Sequence, residues 1–367
     1  MKYLVVSFFL LISFAVSGQT YLHPGFSGKE YLELLSIFSR HNDTLYHGDS
    51  TPPPVVYDRI YRSPEVGLKN QWSLWIRKDK KLAVINLRGT VAATPSWLEN
   101  FYADMIPATG SLQLNDTTVF QYQLAADPKA MVHAGWAIGL AHLAPTIVQK
   151  IKETYAAAGI REFIIMGHSQ GGALAFLTRS YLYYLTQKGG LPADITYKTY
   201  CSAAPKPGNL YYAYDFDFIT RNGWAFTVVN AKDWVPETPF SVQQITDFNT
   251  INPFVNIKPV LRKQKWLVRW YLSGVYNKMS RRAGRSARTF EKYLGSSMYK
   301  QVKKYLPQLR QPQYEQGANY MRAGVPVVLE PDEFYLQRYP DTNPGRLFIH
   351  HGLYPYYYLV KKYYGNQ

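Results

Sequence analysis

The sequence has one cysteine, Cys201, among 367 residues. No internal disulfide can therefore form, and a disulfide scaffold is excluded. Acids are scarce: 25 Asp and Glu stand against 41 Lys and Arg, a formal net charge of +16. So basic a balance favours acidic partners such as anionic lipid headgroups. Charged residues make up only 18% of the chain and hydrophobic ones 47%. That excludes a disordered chain, which combines high charge with low hydrophobicity. No segment holds about 18 consecutive apolar residues, so no membrane-spanning helix is expected. Internal repeats, Walker loops, GxGxxG turns and clusters of His, Cys and Asp with zinc spacing are all missing. Neither a cofactor nor a metal is expected.

The chain is long enough for one large α/β domain or two ordinary ones. Lys2 precedes an apolar run from Leu4 to Val16, too short to span a bilayer, and Ala15, Ser17 and Gly18 supply small residues before Gln19. This pattern predicts a signal peptide over 1–18 and a secreted or periplasmic mature protein. Charge is unevenly spread. Residues 261–310 carry fourteen Lys or Arg against one acid, Glu291, interleaved with Trp266, Trp270, Tyr271, Tyr276, Phe290 and Tyr293. A solvated helical hairpin over the core would have this composition. So would an insertion facing a membrane or polyanion.

Ahead of that stretch, strands and helices alternate. Residues 81–87 read as a buried strand ending at Arg88-Gly89-Thr90. Ser96 is placed to cap a helix reaching about Asp104, with Trp97, Leu98 and Phe101 on one face. Residues 135–155 have apolar positions at helical spacing. A strand over 162–166 leads into a helix over 171–185, and further strands follow at 197–202 and 225–229. Strands separated by helices imply a parallel sheet with crossover helices.

The informative segment is Gly167-His168-Ser169-Gln170-Gly171-Gly172, a G-x-S-x-G turn between an apolar strand and an apolar helix. Small residues on both sides of Ser169 let the backbone turn sharply and leave the hydroxyl exposed at a helix N-terminus. A serine nucleophile needs a base, and the base an orienting acid. In α/β-hydrolases the acid and then the histidine follow the serine. His23, His41, His47, His133 and His142 precede the turn and His168 lies inside it, so only His350 and His351 remain. Asp233 is the best-placed acid, a few residues beyond the 225–229 strand, at the end where open α/β sheets carry their sites. Asp215 and Asp217 look solvated, Asp194 is at the wrong end of its strand, and Asp247 and Asp341 lie in loop-like contexts.

Several blocks together resemble the class 3, or fungal-type, lipase family. Asn86-Leu87-Arg88-Gly89-Thr90 resembles F-R-G-[ST]. Val132-His133-Ala134-Gly135-Trp136 resembles V-H-x-G-F. Residues 167–175 resemble G-H-S-L-G-G-A-L-A, with Gln170 where Leu is common. Ala203-Ala204-Pro205-Lys206-Pro207-Gly208-Asn209 resembles G-x-P-R-V-G-N, and Val228-Val229-Asn230 with Asp233 and Val235-Pro236 resembles V-N-x-x-D-x-V-P. The resemblance covers roughly 81–240, and the chain departs from compact members over 241–340. It implies an α/β-hydrolase fold with a mostly parallel central sheet and helices on both faces; the basic helical insertion before the histidine is expected from composition alone. It also implies Ser169 as nucleophile, Asp233 as acid, and an oxyanion hole formed by Thr90 and the Gln170 N–H. His133 is expected to be a packing histidine, and His168 to orient the turn or pack. For the base, spacing to Gly352 favours His350 and spacing to Tyr356 favours His351, and we take His351 with His350 as the alternative.

The resulting expectation is a signal peptide (1–18) followed by one hydrolase domain (19–367) with 241–340 as lid or insertion. It would be an exported serine hydrolase of lipid esters, cofactor-free, acting through an acyl-enzyme. Peripheral contact with an anionic membrane is expected and nucleic acid is not. The competing reading is a non-catalytic exported protein that binds anionic surfaces through 261–310.

Overall fold

A computed structural model describes residues 20–40, 51–341 and 345–365. The expected signal peptide lies outside them. One sheet holds seven strands: β1 (Tyr57–Arg62), β2 (Trp72–Arg77), β3 (Ala83–Leu87), β4 (Glu162–His168), β5 (Thr196–Ser202), β6 (Ala225–Asn230) and β7 (Val325–Leu329). They stand side by side in chain order. The β1–β2 and β2–β3 pairs are antiparallel, and every pair from β3 to β7 is parallel.

Parallel neighbours require crossovers, and helices supply them. α1 (Gly28–Ser39) precedes the sheet. α2 (Thr94–Phe101) and α3 (Ala134–Ala158) lie between β3 and β4, and α4 (Gln170–Gln187) and α5 (Leu210–Ile219) follow β4 and β5. Successive strand residues face opposite sides of the sheet. Ile85, Phe163 and Ile165 pack with α3 and α4 in one core. Val84, Ile164 and Met166 pack on the other face with α1 and with α10 (Leu353–Tyr364). Burial on both faces is why these strands read as continuous apolar runs.

After β6 the chain leaves the sheet and returns only at β7. The excursion holds α6 (Ile257–Arg262), α7 (Trp266–Phe290), a π-helical stretch over Glu291–Ser297, and α8 (Met298–Val302). α9 (Glu333–Arg338) follows β7. Of the 25 residues of α7 only Ala287 and Phe290 are buried. Among the described residues no helix is long and apolar enough to cross a membrane.

The helix expected from Ser96 to Asp104 is displaced. It starts after Ala93 and ends at Phe101, and Ser96 lies inside it. Pro95 sits in its first turn, where a fixed φ and a missing N–H favour initiation, so the helix begins before the serine. The Ser96 hydroxyl instead accepts from the Val91 N–H and faces Gln170. Trp97 and Phe101 turn toward a cavity, not the core.

Candidate active site

β4 ends at His168 and α4 begins at Gln170, so Ser169 alone makes the turn. Its φ of 61° and ψ of −130° form a conformation that costs a non-glycine residue about 1–3 kcal/mol. The surrounding backbone enforces it. A Cβ on Gly167 would overlap the Gly171 carbonyl, and one on Gly171 would overlap the Leu87 carbonyl. The Ser169 N–H donates to the Ser202 carbonyl at 2.9 Å, tying the turn to β5. Ser169 therefore sits at the N-terminus of an 18-residue helix, whose dipole favours negative charge there.

Asp233 lies just beyond the end of β6, as expected. It is buried, and its carboxylate collects three donors. His351 Nδ1 lies 2.7 Å from Oδ2, the Tyr356 hydroxyl donates to the same oxygen at 2.7 Å, and the Val235 N–H donates to Oδ1 at 3.0 Å. Burial alone would raise the acid's pKa. The charge of His351 and the hydrogen bonds outweigh that, and Asp233 titrates below the usual carboxylate range. An ionised carboxylate only accepts, so His351 Nδ1 must carry a proton.

The loop bearing His351 hangs from two strand ends. Asn230 Nδ2, closing β6, donates to the His350 carbonyl at 3.0 Å. His168, closing β4, places Nε2 at 2.8 Å from the His351 carbonyl and Nδ1 at 2.8 Å from the Ser202 hydroxyl. Burial, reinforced by the charge of His351, pushes the His168 pKa down to about 3. Its ring is thus neutral: Nε2–H donates to the carbonyl and Nδ1 accepts from Ser202. His168 fixes the position of the His351 backbone.

Thr90 is the third residue after β3. Asn100 Nδ2 donates to its hydroxyl oxygen at 2.9 Å. Asn100 is in turn fixed by α3, because its Oδ1 accepts from Trp136 Nε1 at 3.0 Å and its carbonyl meets His133 Nε2 at 3.1 Å. His133 caps α3, stacks on Trp136, and is held neutral by burial, its pKa lowered to about 3. Its ring is packed and fully hydrogen-bonded within this corner of the fold. The Gln170 N–H belongs to the first turn of α4, where the helix itself supplies no acceptor. Asn100 escaped the sequence reading: no local pattern marks it, and only the approach of α2 to α3 shows its place.

Thr90, Ser169, Gln170 and His351 line a single cavity of about 250 Å3. The rest of its wall is mainly apolar, with Trp97, Phe101, Trp234, Phe240, Leu294 and Phe348 prominent. Asp233 stands behind His351. His350 is not in the lining. Its ring lies between the Tyr335 hydroxyl, 2.8 Å from Nδ1, and Asp341 Oδ1, 2.6 Å from Nε2. The weaker acid candidates also lie elsewhere. Asp194 pairs with Arg161, Asp215 accepts from Tyr184 and from the Ala126 N–H, and Asp247 caps a short 3-10 turn. Asp215 is thus more enclosed than its helix position suggested. Asp217 receives the Gly324 N–H beside β7. Among the described residues no group of three or more His, Cys, Asp or Glu could hold a metal.

Residues 84–243 match the family model of the class 3 lipases. A secreted mono- and diacylglycerol lipase from Fusarium solani is 25% identical over 182 residues, covering 47% of this chain. The match spans only 45% of that relative's length. A solved triacylglycerol lipase from Penicillium expansum is 17% identical, with 58% of this chain and 75% of that one covered at a TM-score of 0.41. A lipase from Rhizopus microsporus var. chinensis is 18% identical, with 58% and 69% covered at a TM-score of 0.40.

Proposed function

We propose that this chain is an exported serine carboxylic ester hydrolase of the class 3 lipase type, acting on lipid esters. Ser169 Oγ attacks the ester carbonyl and its proton passes to His351 Nε2, while Asp233 holds Nδ1 and stabilises the imidazolium. The oxyanion is held by Thr90 and by the Gln170 N–H, each donor contributing about 3–4 kcal/mol of barrier lowering. His351 returns the proton to the leaving alkoxide, which departs as an alcohol and leaves Ser169 acylated. Water, deprotonated by His351, then releases the acid and restores the serine.

The observation that carries this reading is convergence. A strained serine turn, a histidine committed through Nδ1 to a buried carboxylate, and a hydroxyl fixed by Asn100 meet in one cavity whose other walls are aromatic and aliphatic. An apolar wall suits an acyl chain, and mono- and diacylglycerols, the substrates named for the Fusarium relative, are the first esters to test. In this reading residues 19–367 form one hydrolase domain, 241–340 cover the cavity, the signal peptide 1–18 directs export, and the basic 261–310 arm makes peripheral contact with anionic lipid.

The test combines active-site labelling with an ester panel. A fluorophosphonate should label the parent, and Ser169→Ala should abolish labelling and lower turnover at least about 1,000-fold without unfolding the protein. A folded Ser169→Ala variant with near-parental turnover refutes the mechanism. A parent that neither labels nor turns over any ester favours the non-catalytic binding protein.

A further inference from the structure

α7 is polarised along its length as well as around it. Its less exposed positions recur at helical spacing, among them Tyr276, Ser280, Gly284, Ala287 and Phe290. That narrow stripe meets the body: the Tyr276 hydroxyl donates to the Phe254 carbonyl at 2.8 Å, and Phe290 packs with Ala103, Met105 and Tyr320. The remaining surface faces outward and is divided. Toward the N-terminus it is apolar, with Trp266 and Trp270 each 75% exposed beside Leu267 and Tyr271. Toward the C-terminus it carries exposed Lys278, Arg281, Arg282, Arg285 and Arg288. Lys263, Lys265 and Arg269 flank the two tryptophans, and no acid occurs between Asp247 and Glu291.

Exposed apolar clusters of this size mark an interaction surface. The charge selects the partner. Ten Lys or Arg between residues 258 and 288, with no compensating acid, repel a second copy of the same arm and attract an anionic surface. Tryptophan and tyrosine settle at the depth of lipid headgroups, and long basic side chains beside them reach outward to phosphate. At about 1.5 Å per residue, the Trp266–Val275 end is about 15 Å of helix, enough to enter one interface and too short to cross a bilayer.

We propose that α7 docks the protein on an anionic bilayer with its Trp266–Val275 end inserted at the interface and its Lys278–Arg288 end lying on the phosphates. The C-terminal end of α7 continues through the π-helical stretch to Leu294 in the cavity wall, so the docked arm leads directly to the cavity. This deepens the peripheral contact proposed above and rests on it, but not on ester hydrolysis.

The experiment uses the full chain and two variants. One changes Trp266, Trp270 and Tyr271 to Ser, and the other changes Arg281, Arg282, Arg285 and Arg288 to Gln. Each is sedimented with phosphatidylcholine vesicles with and without phosphatidylglycerol, across a salt series, and probed for tryptophan quenching by brominated lipid. The parent should bind only the anionic vesicles and should be quenched. The arginine variant should bind about 100- to 1,000-fold more weakly, equivalent to about 1 kcal/mol per cation. The aromatic variant should keep a weaker, salt-sensitive binding and lose the quenching. Both should keep the far-UV circular dichroism and thermal midpoint of the parent, which establishes that they fold. Parental binding by both variants overturns the docking and the peripheral contact together. Parental binding and quenching by the aromatic variant alone overturns the insertion and leaves the contact standing. Tighter binding of a single-stranded oligonucleotide than of anionic vesicles overturns the lipid in favour of nucleic acid.

Discussion

Replacing Asp104 with Asn should stabilise the protein at neutral pH and leave its stability unchanged near pH 4. Asp104 is 1% exposed. Its Oδ1 accepts the Met105 N–H at 3.0 Å, while Oδ2 is buried with no hydrogen-bond partner. That oxygen faces Gly295 of the π-helical stretch so closely that a Cβ there would overlap it. Burial raises the pKa, the Met105 N–H opposes this, the charge of Glu291 adds to it, and the result is about 7. In the unfolded chain an aspartate titrates near 3.9. Between these values the native state holds a proton that the unfolded state has released. Stability therefore falls as pH rises through the window, by up to about 1.4 kcal/mol per unit and roughly 4 kcal/mol in all. Below pH 4 both states are protonated, and above pH 7 both are ionised and the loss is constant. Asn cannot ionise, so its variant should lack this slope. Urea midpoints from pH 4 to 8, read at constant m-value, measure the difference. A variant with the parental pH slope, or one less stable than the parent at pH 8, refutes the reasoning.

Three further substitutions test the site itself. His351→Ala should approach the loss caused by removing Ser169, about 1,000-fold or more, whereas His350→Ala, whose ring faces Tyr335 and Asp341, should cost less than about tenfold. Two mild phenotypes would contradict the assignment of the base. Tyr356→Phe removes one donor from Asp233, a charged hydrogen bond of about 1.5–3 kcal/mol, so kcat/KM should fall at least about tenfold and the acid limb of its pH profile should move to higher pH. An unmoved limb would show that the hydroxyl does not tune the pair. Asn100→Ala frees the Thr90 hydroxyl to rotate, and kcat should fall about 100-fold with KM little changed. A loss confined to KM would assign Asn100 to substrate binding instead.

The parts that could be read from sequence are those where one residue type answers one local demand. The serine turn needs small neighbours at fixed offsets, and the central strands, buried on both faces, need unbroken apolar runs. Chain order then reduced eight histidines to two. It could go no further, because His350 and His351 share every local feature. Their rings are told apart only by distant partners, Tyr335 and Asp341 for His350 and Asp233 for His351, while Asn230 and His168 hold the two carbonyls. β7 was missed for a related reason: an edge strand that pairs in parallel with β6 after an excursion of more than ninety residues has no local signal beyond a short Val-rich run. β1 was missed because it is mostly exposed and lacks that run. The cap assigned to Ser96 failed because Pro95, one residue earlier, already satisfied the helix start.

The two walls of the cavity are held by unequal means, and this bears on where access is controlled. The α2 wall is pinned from behind by buried polar contacts. Glu99 accepts from Asn70 at 2.9 and 2.8 Å, Ser96 meets Gln170, and the Asn100 carbonyl meets His133. Burial raises the pKa of Glu99 well above the ordinary value, against the opposing hydrogen bond from Asn70. Moving α2 would expose all of these groups at once. The facing wall is different. Phe240 is 73% exposed, and Leu294 belongs to the π-helical stretch that meets the core at the partnerless oxygen of Asp104. Local opening favours segments with few buried contacts, which here means the 240–294 side. Ionising Asp104 places a charge against Gly295 on that side. The stability lost as pH rises toward 7 is thus lost where the arm joins the cavity, and a bilayer holding α7 would act on the same joint.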